Sequence, residues 1–332
     1  MIASRGSADA PDGASAFETR VMGSSLRLTL GRGTTSADAP VGTTAGRAWA
    51  AVVDEFRCAD ASMSRFRDDS DLTRLNRTAG SGRGVTVSAR LRRALVATER
   101  ARRVTGGRFD PRVLVDLDRI GYRGVPLPDG GGAMAGLASR GDWRSQPVVR
   151  RTDRQRIVID RPIDLGGIGK GLALRWAATR LARCGIQDAL LEAGGDLVTR
   201  GRSPGLGPWH VGIEDPAGGE APLAVIAVND MAVATSSTRI LRWTTAGRWV
   251  HHLIDPRTGE PADGGLAAVT VGAADPAWAE VWSKALFVGG LAGIAVEART
   301  HGLAAWWITD DGSLEMTAAA RALTIWVAGE DR

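Results

Sequence analysis

Three stretches of this chain carry residue types that can do chemistry on a phosphorylated ligand. The first is Asp164-Leu165-Gly166-Gly167-Ile168-Gly169-Lys170-Gly171, a glycine-rich loop holding one carboxylate and one amine. Glycines ahead of a helix let the backbone approach a ligand closely, and the free N–H groups of the first helical turn favour an anion there. A turn packed tightly against a sheet would use the same glycines, so the loop alone leaves both readings open. Two phosphate loops are excluded. A Walker A motif needs Gly at position 164 and Ser or Thr after the lysine, where Asp164 and Gly171 stand; a dinucleotide G-x-G-x-x-G starting at Gly167 needs Gly at position 172, which is Leu172.

The second stretch is His251-His252-Leu253-Ile254-Asp255-Pro256-Arg257-Thr258-Gly259-Glu260-Pro261. Asp-Pro followed by Gly is turn chemistry. A histidine just before such a turn titrates near neutrality and suits proton abstraction, although a structural histidine at a strand end reads the same way. The third stretch, Ala279 to Val288, puts Glu280 and Lys284 four residues apart on one predicted helix face. Lys170 and Lys284 are the only lysines in a sequence whose Lys and Arg together number 42. Where a generic positive charge suffices this chain uses Arg, so each lysine asks for a specific explanation.

The elements that must position these groups follow from periodicity. A strand over Arg156 to Asp160 feeds the glycine loop, and a helix leaves it with Leu174, Ala177, Ala178 and Leu181 on one buried face. Gly185 is expected as its cap at positive φ. A strand from Ala189 to Glu192 then breaks at Gly194-Gly195 before Asp196. Upstream, the pattern predicts a strand over Thr19 to Leu30, a helix over Ala45 to Ala61, and a helix within Val85 to Thr105 with Ser88 as N-cap. Downstream it predicts strands at Trp209 to Glu214, Val225 to Val228 and Val269 to Ala273, and one helix over Ala277 to Arg299. Ala304 to Thr309, with core residues Trp306 and Trp307, and Thr324 to Val327 are expected to close the sheet. Residues 1 to about 15 read as a disordered tail and 124–142 as a loop-rich connection.

A chain of 332 residues buries a large core, and 44% hydrophobic with 24% charged residues is ordinary for a globular protein. No apolar run reaches the roughly 18 residues of a membrane span. The start, MIASRGSADAPDG, shows no apolar export segment and no lipidated cysteine, and Cys58 and Cys184, both expected on helices, make no disulfide framework; a cytoplasmic setting is therefore expected. The net charge of +5 comes from arginines scattered among acids, with no basic block, so nucleic acid is not expected as a partner.

These stretches, in this order, resemble the FAD:protein FMN transferases, the ApbE-type flavin transferases. The glycine loop is similar to that family's D-L-G-G-I-A-K-G-x-A, followed by A-G-G-D at Ala193 to Asp196. Ala232-Val233-Ala234-Thr235-Ser236-Ser237 is similar to A-V-A-T-S-G, and the histidine stretch is an almost complete H-x-I-D-P-x-T-G-x-P. Met22-Gly23-Ser24, Met63 to Asn76 (with Phe66 where the family has Tyr), and Gly106-Gly107-Arg108-Phe109-Asp110-Pro111 carry the likeness upstream, so it covers about residues 17 to 330. It implies a mixed α+β fold with a largely antiparallel sheet and packed helices, in one two-lobed domain over residues 16–332 with FAD between the lobes. It also implies transfer of FMN from FAD to a Thr or Ser hydroxyl of an acceptor flavoprotein, with AMP released. By that likeness His252 is the catalytic base, and Met22, Phe66, Arg108, Phe109, Asp110, Asp164, Lys170 and Ile254 are FAD-contacting positions. A flavin-binding protein that no longer transfers, or an FAD pyrophosphatase, would use many of the same residues.

The family's metal site is where the sequence departs. The likeness implies Mg²⁺ held by the Gly167 carbonyl and by an Asp and a Thr four residues apart on a helix. Here those two positions are Glu280 and Lys284. Glutamate serves a hard cation, but an ammonium has no lone pair to give. An ammonium about 4 Å from a divalent ion would face a gross repulsion of roughly 8 kcal/mol at an effective dielectric of 20. Lys284 is thus expected to replace part of the metal's charge, with weak or absent Mg²⁺ dependence.

Overall fold

The computed structural model describes residues 15–31, 44–122, 143–151, 156–219, 221–239, 241–245 and 247–330. Residues 1–14 of the expected tail and the expected loop over 124–142 lie outside the described residues, and Ser15 already begins a strand. The chain forms two compact units. The first comprises Met1–Arg57, Lys170–Arg239 and Gly264–Arg332; the second comprises Cys58–Gly169 and Ile240–Asp263.

The first unit is built on an eight-stranded sheet in which every described pairing is antiparallel. Its order is Ser15–Val21, Ser24–Leu30, Ala189–Ala193, Asp196–Arg200, Ala232–Ser237, Leu266–Ala273, Ala304–Thr309 and Leu314–Met316. Leu26, Leu28 and Leu30 alternate into the core and are fully buried, the period-2 signature of a half-buried strand. The Pro276–Gly289 helix packs on the strands Ala232–Ser237 and Leu266–Ala273. Asp275 caps that helix by accepting from Ala277 N–H at 2.9 Å, ahead of Pro276 in its first turn.

Three expectations need correction in this unit. The single strand over Thr19 to Leu30 is a hairpin, Ser15–Val21 with Ser24–Leu30, turned at Met22-Gly23 with φ of 50° and 76°. Both turn residues at positive φ match the twist of the flanking strands; methionine gave no sign of it because Asn, Asp or Gly is the usual choice there. The single helix over Ala277 to Arg299 is two, Pro276–Gly289 and Leu291–Thr300. It breaks at Gly290, φ 76°, where the Gly264 backbone passes so close that a Cβ on Gly264 would sit 2.6 Å from the Gly290 Cα. Finally, Thr324–Val327 does not close the main sheet. It pairs with Ala224–Val228, which pairs with Trp209–Ile213, in a separate three-stranded sheet. That sheet shares a core with Trp306 and Ile308 of the large one.

The second unit is smaller and has far less strand. Its helices Asp71–Asn76 and Ala89–Val104 start at the N-caps Ser70 and Ser88, whose hydroxyls accept from Thr73 N–H at 2.9 Å and Leu91 N–H at 3.2 Å. A short helix, Leu114–Arg119, and a hairpin, Arg242–Thr245 with Arg248–His251, enclose a core of Leu117, Ile120, Val250 and Ile254. Asn76 is fully buried and ties the entry of the glycine loop: its amide donates to Ile163 O at 2.8 Å and accepts from Ile163 N–H at 3.0 Å. The family-like asparagine is therefore a clamp on the backbone just ahead of Asp164.

Candidate active site

In the second unit the histidine stretch folds back on itself. Gly259 N–H donates to Asp255 O at 2.8 Å, Ala262 N–H to Leu253 O at 2.8 Å, and Ile254 bridges Pro261. The Asp255 carboxylate takes the Arg257 N–H and guanidinium, which stiffens the turn. From outside, Arg119 donates to Gly259 O at 2.5 Å and Arg144 to Pro256 O at 2.9 Å. Gly259, at φ 74°, lies against the Asp116 carboxyl, and a Cβ there would come within 2.8 Å of it. Burial raises the Asp116 pKa from its ordinary value, against the pull of Arg119, Arg161 and Arg144.

This turn separates the two histidines by role. The His251 Nδ1 accepts from Leu253 N–H at 3.2 Å, which puts the proton on Nε2, and Nε2 lies 3.1 Å from Ala262 O. His251 is thereby a neutral strut of the turn. His252 instead sits beside Tyr122, ring centroids 6.2 Å apart. Tyr122 stacks on Trp243 at 5.6 Å and meets Phe66 edge-on at 5.9 Å. Phe66 is 55% exposed, so it is an open aromatic face and not a core residue.

Arg65 holds this group together. Its side chain is 3% exposed; it donates to Tyr122 O at 2.7 Å, pairs with Asp118 at 3.3 Å and Asp164 at 3.4 Å, and lies over the Phe66 and Tyr122 rings at 4.5 and 4.8 Å. Asp164 also accepts from Gly166 N–H at 3.0 Å, capping its own loop. Arg65 and Tyr122 were not singled out from sequence. Tyr122 is the only tyrosine in the chain, a signal that could have found it; Arg65 is hidden among the other arginines.

The remaining family-like positions of this unit have mostly internal tasks. The Asp110 carboxylate is gripped by Arg112 at 2.6 and 2.9 Å with both side chains 3% exposed. Phe109 and Ile254 are buried, Phe109 N–H donating to the Thr105 hydroxyl at 3.1 Å. Arg108 is half-buried and Gly167 buried within the loop.

In the first unit a second constellation gathers at the start of the Gly169–Arg183 helix. The Lys170 ammonium is ion-paired with Asp196, which follows the Gly194-Gly195 turn (φ 59° and 89°). The other Asp196 oxygen accepts from Thr235 N–H at 3.1 Å. The helix's early N–H groups were expected to meet an anion. The anion at Gly171 is the protein's own Glu280, whose Oε2 accepts at 2.8 Å. Glu280 is 1% exposed and its Oε1 has no hydrogen-bond partner. Burial pushes its pKa up to about 7, with Lys170 and Lys284 drawing it down and Asp196 adding to the rise. Beside it, the hydroxyls of Ser283 and Ser236 lie 2.9 Å apart. Met22 sits in the hairpin turn of this unit, half-buried and at positive φ.

Gly171 is what lets the two helices meet. A Cβ there would lie 2.5 Å from both the Ala277 Cα and the Pro276 carbonyl oxygen, with only backbone to move. Gly171→Ala is therefore expected to cost about 3 kcal/mol, the upper part of the range for overpacking, read as a lower urea midpoint with unchanged slope.

The family model of the ApbE family matches residues 22–307. The chain belongs to the ApbE family. Among relatives, a Klebsiella pneumoniae protein named FAD:protein FMN transferase is 31% identical over 261 residues, covering 76% of this chain and 74% of its own length. A Haemophilus influenzae protein of the same name is 28% identical over 271 residues, 79% and 78% of the two chains. Among solved structures, the ApbE protein of Thermotoga maritima superposes with a TM-score of 0.79 at 24% identity, covering 93% of this chain and 99% of its own. The apo Pseudomonas stutzeri flavinyl transferase ApbE does so with 0.76 at 26%, covering 93% and 96%. The ApbE fold accounts for the mixed helices and antiparallel sheet seen here. Among the described residues no helix is long and apolar enough to cross a membrane, and no group of three His, Cys, Asp or Glu side chains is placed to hold a metal ion.

Proposed function

We propose that this ApbE-family chain is an FAD:protein FMN transferase. The acceptor Thr or Ser hydroxyl attacks the FMN phosphorus of FAD. The P–O bond to the AMP phosphate breaks, AMP leaves with the bridging oxygen, and a phosphodiester joins FMN to the acceptor. His252 takes the hydroxyl proton. The observation that carries this reading is the division of labour between the histidines: the rigid turn consumes both ring nitrogens of His251 and sets His252 beside Tyr122. Phe66, open to solvent, offers a π-face for a flavin or adenine ring, with Met22 and the Arg108 side chain as further nucleotide contacts. Lys170 supplies positive charge to the pyrophosphate, Asp164 an acceptor for a ligand hydroxyl or flavin edge. Phe109, Asp110 and Ile254 are buried in the second unit and are read as supports of its side chains and not as direct FAD contacts. The reading includes a reducing, cytoplasmic compartment, supported by two free thiols: Cys58 is exposed, and Cys184 lies in the turn just past the helix ending at Arg183.

The test is release of AMP from FAD by the purified protein, with and without a Thr-containing acceptor peptide of the family's target motif. AMP that appears only with the peptide, together with a fluorescent peptide adduct, is the expected result. AMP without peptide would replace the reading by a pyrophosphatase. Bound FAD with no AMP, across a panel of acceptor peptides, would replace it by a flavin-binding protein.

A further inference from the structure

We propose that the Lys284 ammonium is a built-in cation standing in for the divalent metal, so that this chain binds its flavin nucleotide without Mg²⁺. In its nucleotide arm this rests on the reading of the chain as an FAD-using protein; its metal arm stands alone.

The side chains gathered at Glu280 do not fit Mg²⁺. Asp196 has both oxygens engaged, one by Lys170 and one by Thr235 N–H. Glu280 has one oxygen on Gly171 N–H, which leaves Oε1 as its single open acceptor. The residue one turn on, where a second ligand would stand, is Lys284, half-buried on a helix whose neighbouring Val281, Trp282, Ser283 and Ala285 are all buried. Among the described residues no carboxylate lies within 4 Å of its ammonium, yet its charge acts on Glu280 together with that of Lys170.

The two lysines of the sequence thus converge on one buried carboxylate. Two ammoniums already match or exceed the negative charge of Asp196 and the buried Glu280, so a divalent ion would bring uncompensated positive charge among them. The choice of residue points the same way. In a chain that otherwise uses arginine, these two positions carry the compact point charge on a flexible stem that can follow a phosphate. Lys284 is also without the carboxylate pair that holds Lys170 beside Asp196, so its ammonium can move toward a ligand phosphate while that of Lys170 stays in place.

Two titrations decide the proposal. In the first, MgCl2 is titrated calorimetrically into the full chain without FAD. Wild type is expected to take up no Mg²⁺ and Lys284→Thr, which restores a ligand oxygen, to take up one ion. In the second, FAD affinity is read by flavin fluorescence. For wild type it should agree within about twofold between excess EDTA and excess MgCl2; for Lys284→Thr it should fall at least about tenfold in EDTA and recover with MgCl2. Lys284→Met, which keeps the stem and loses the charge, should bind FAD weakly in both and gain no Mg²⁺ site. Stoichiometric Mg²⁺ uptake by wild type, or loss of its FAD binding in EDTA, would overturn the proposal, whatever the variants do. A protein that binds no FAD under any condition would instead overturn the functional reading, and the calorimetric arm would still decide this one.

Discussion

Replacing His252 by alanine is expected to lower kcat for FMN transfer by about 10²–10⁴, the usual contribution of a positioned general base. FAD affinity should change by less than about threefold, because a base for the acceptor hydroxyl acts in the transition state and adds little to ground-state binding. The paired control is His251→Ala. That side chain closes the turn through Leu253 N–H and Ala262 O, so its loss should cost about 1–2 kcal/mol of stability through two hydrogen bonds. Transfer by the folded fraction should fall far less than in the His252 variant. Initial rates of adduct formation, at a temperature where both variants are folded, separate the two. A His252 variant with near wild-type turnover would move the base to another group, and a His251 variant with the larger kinetic defect would reverse the assignment.

The likeness picked out His252 of these neighbours, but the physical difference between them, one ring tied into the turn and the other beside Tyr122, is not encoded in His251-His252 itself. What was legible were features encoded locally: the periodicity of the helix after the glycine loop, the N-cap Ser88, and the break of a strand at Gly194-Gly195. Gly194-Gly195 announced the end of its strand because glycine is the residue for two successive positive φ values, and the structure shows a hairpin there. Met22 concealed its own because a side chain at φ 50° is paid for by the surrounding structure, not by local preference. The site was legible as a list of motifs and not as an arrangement. The bonds that make it an arrangement join residues far apart in the chain: Gly171 with Glu280, 109 positions on, and Asn76 with Ile163, 87 positions on. Such pairs leave no period. Arg65 is the clearest case. Nothing in a chain with so many arginines marks out this one, yet it touches Asp118, Asp164, Phe66 and Tyr122 together.

Asp110 is the position where likeness and structure assign different tasks, and its replacement separates them. The carboxylate accepts from Arg112 N–H at 3.0 Å and grips the Arg112 guanidinium, and Arg112 donates in turn to the carbonyls of Trp143 and Gln146 at 2.6 and 2.9 Å. Both side chains are almost fully enclosed. Removing one member of such a pair leaves a charge buried without its counter-ion, a loss of about 3–5 kcal/mol. Asp110→Ala is therefore expected to unfold the chain at markedly lower urea, while FAD affinity measured well below the transition stays near wild type. A direct FAD contact predicts the opposite pattern: weakened binding with stability preserved. The double variant Asp110→Ala with Arg112→Met removes the stranded charge and should recover part of the loss. Recovery should be incomplete, because the Trp143 and Gln146 carbonyls lose their donor and at least one stays buried without a replacement. Full recovery in the double variant would mean that the pair contributes nothing beyond its own neutralisation; no loss in the single variant would mean that Arg112 finds other acceptors, and the internal role assigned to Asp110 would fall.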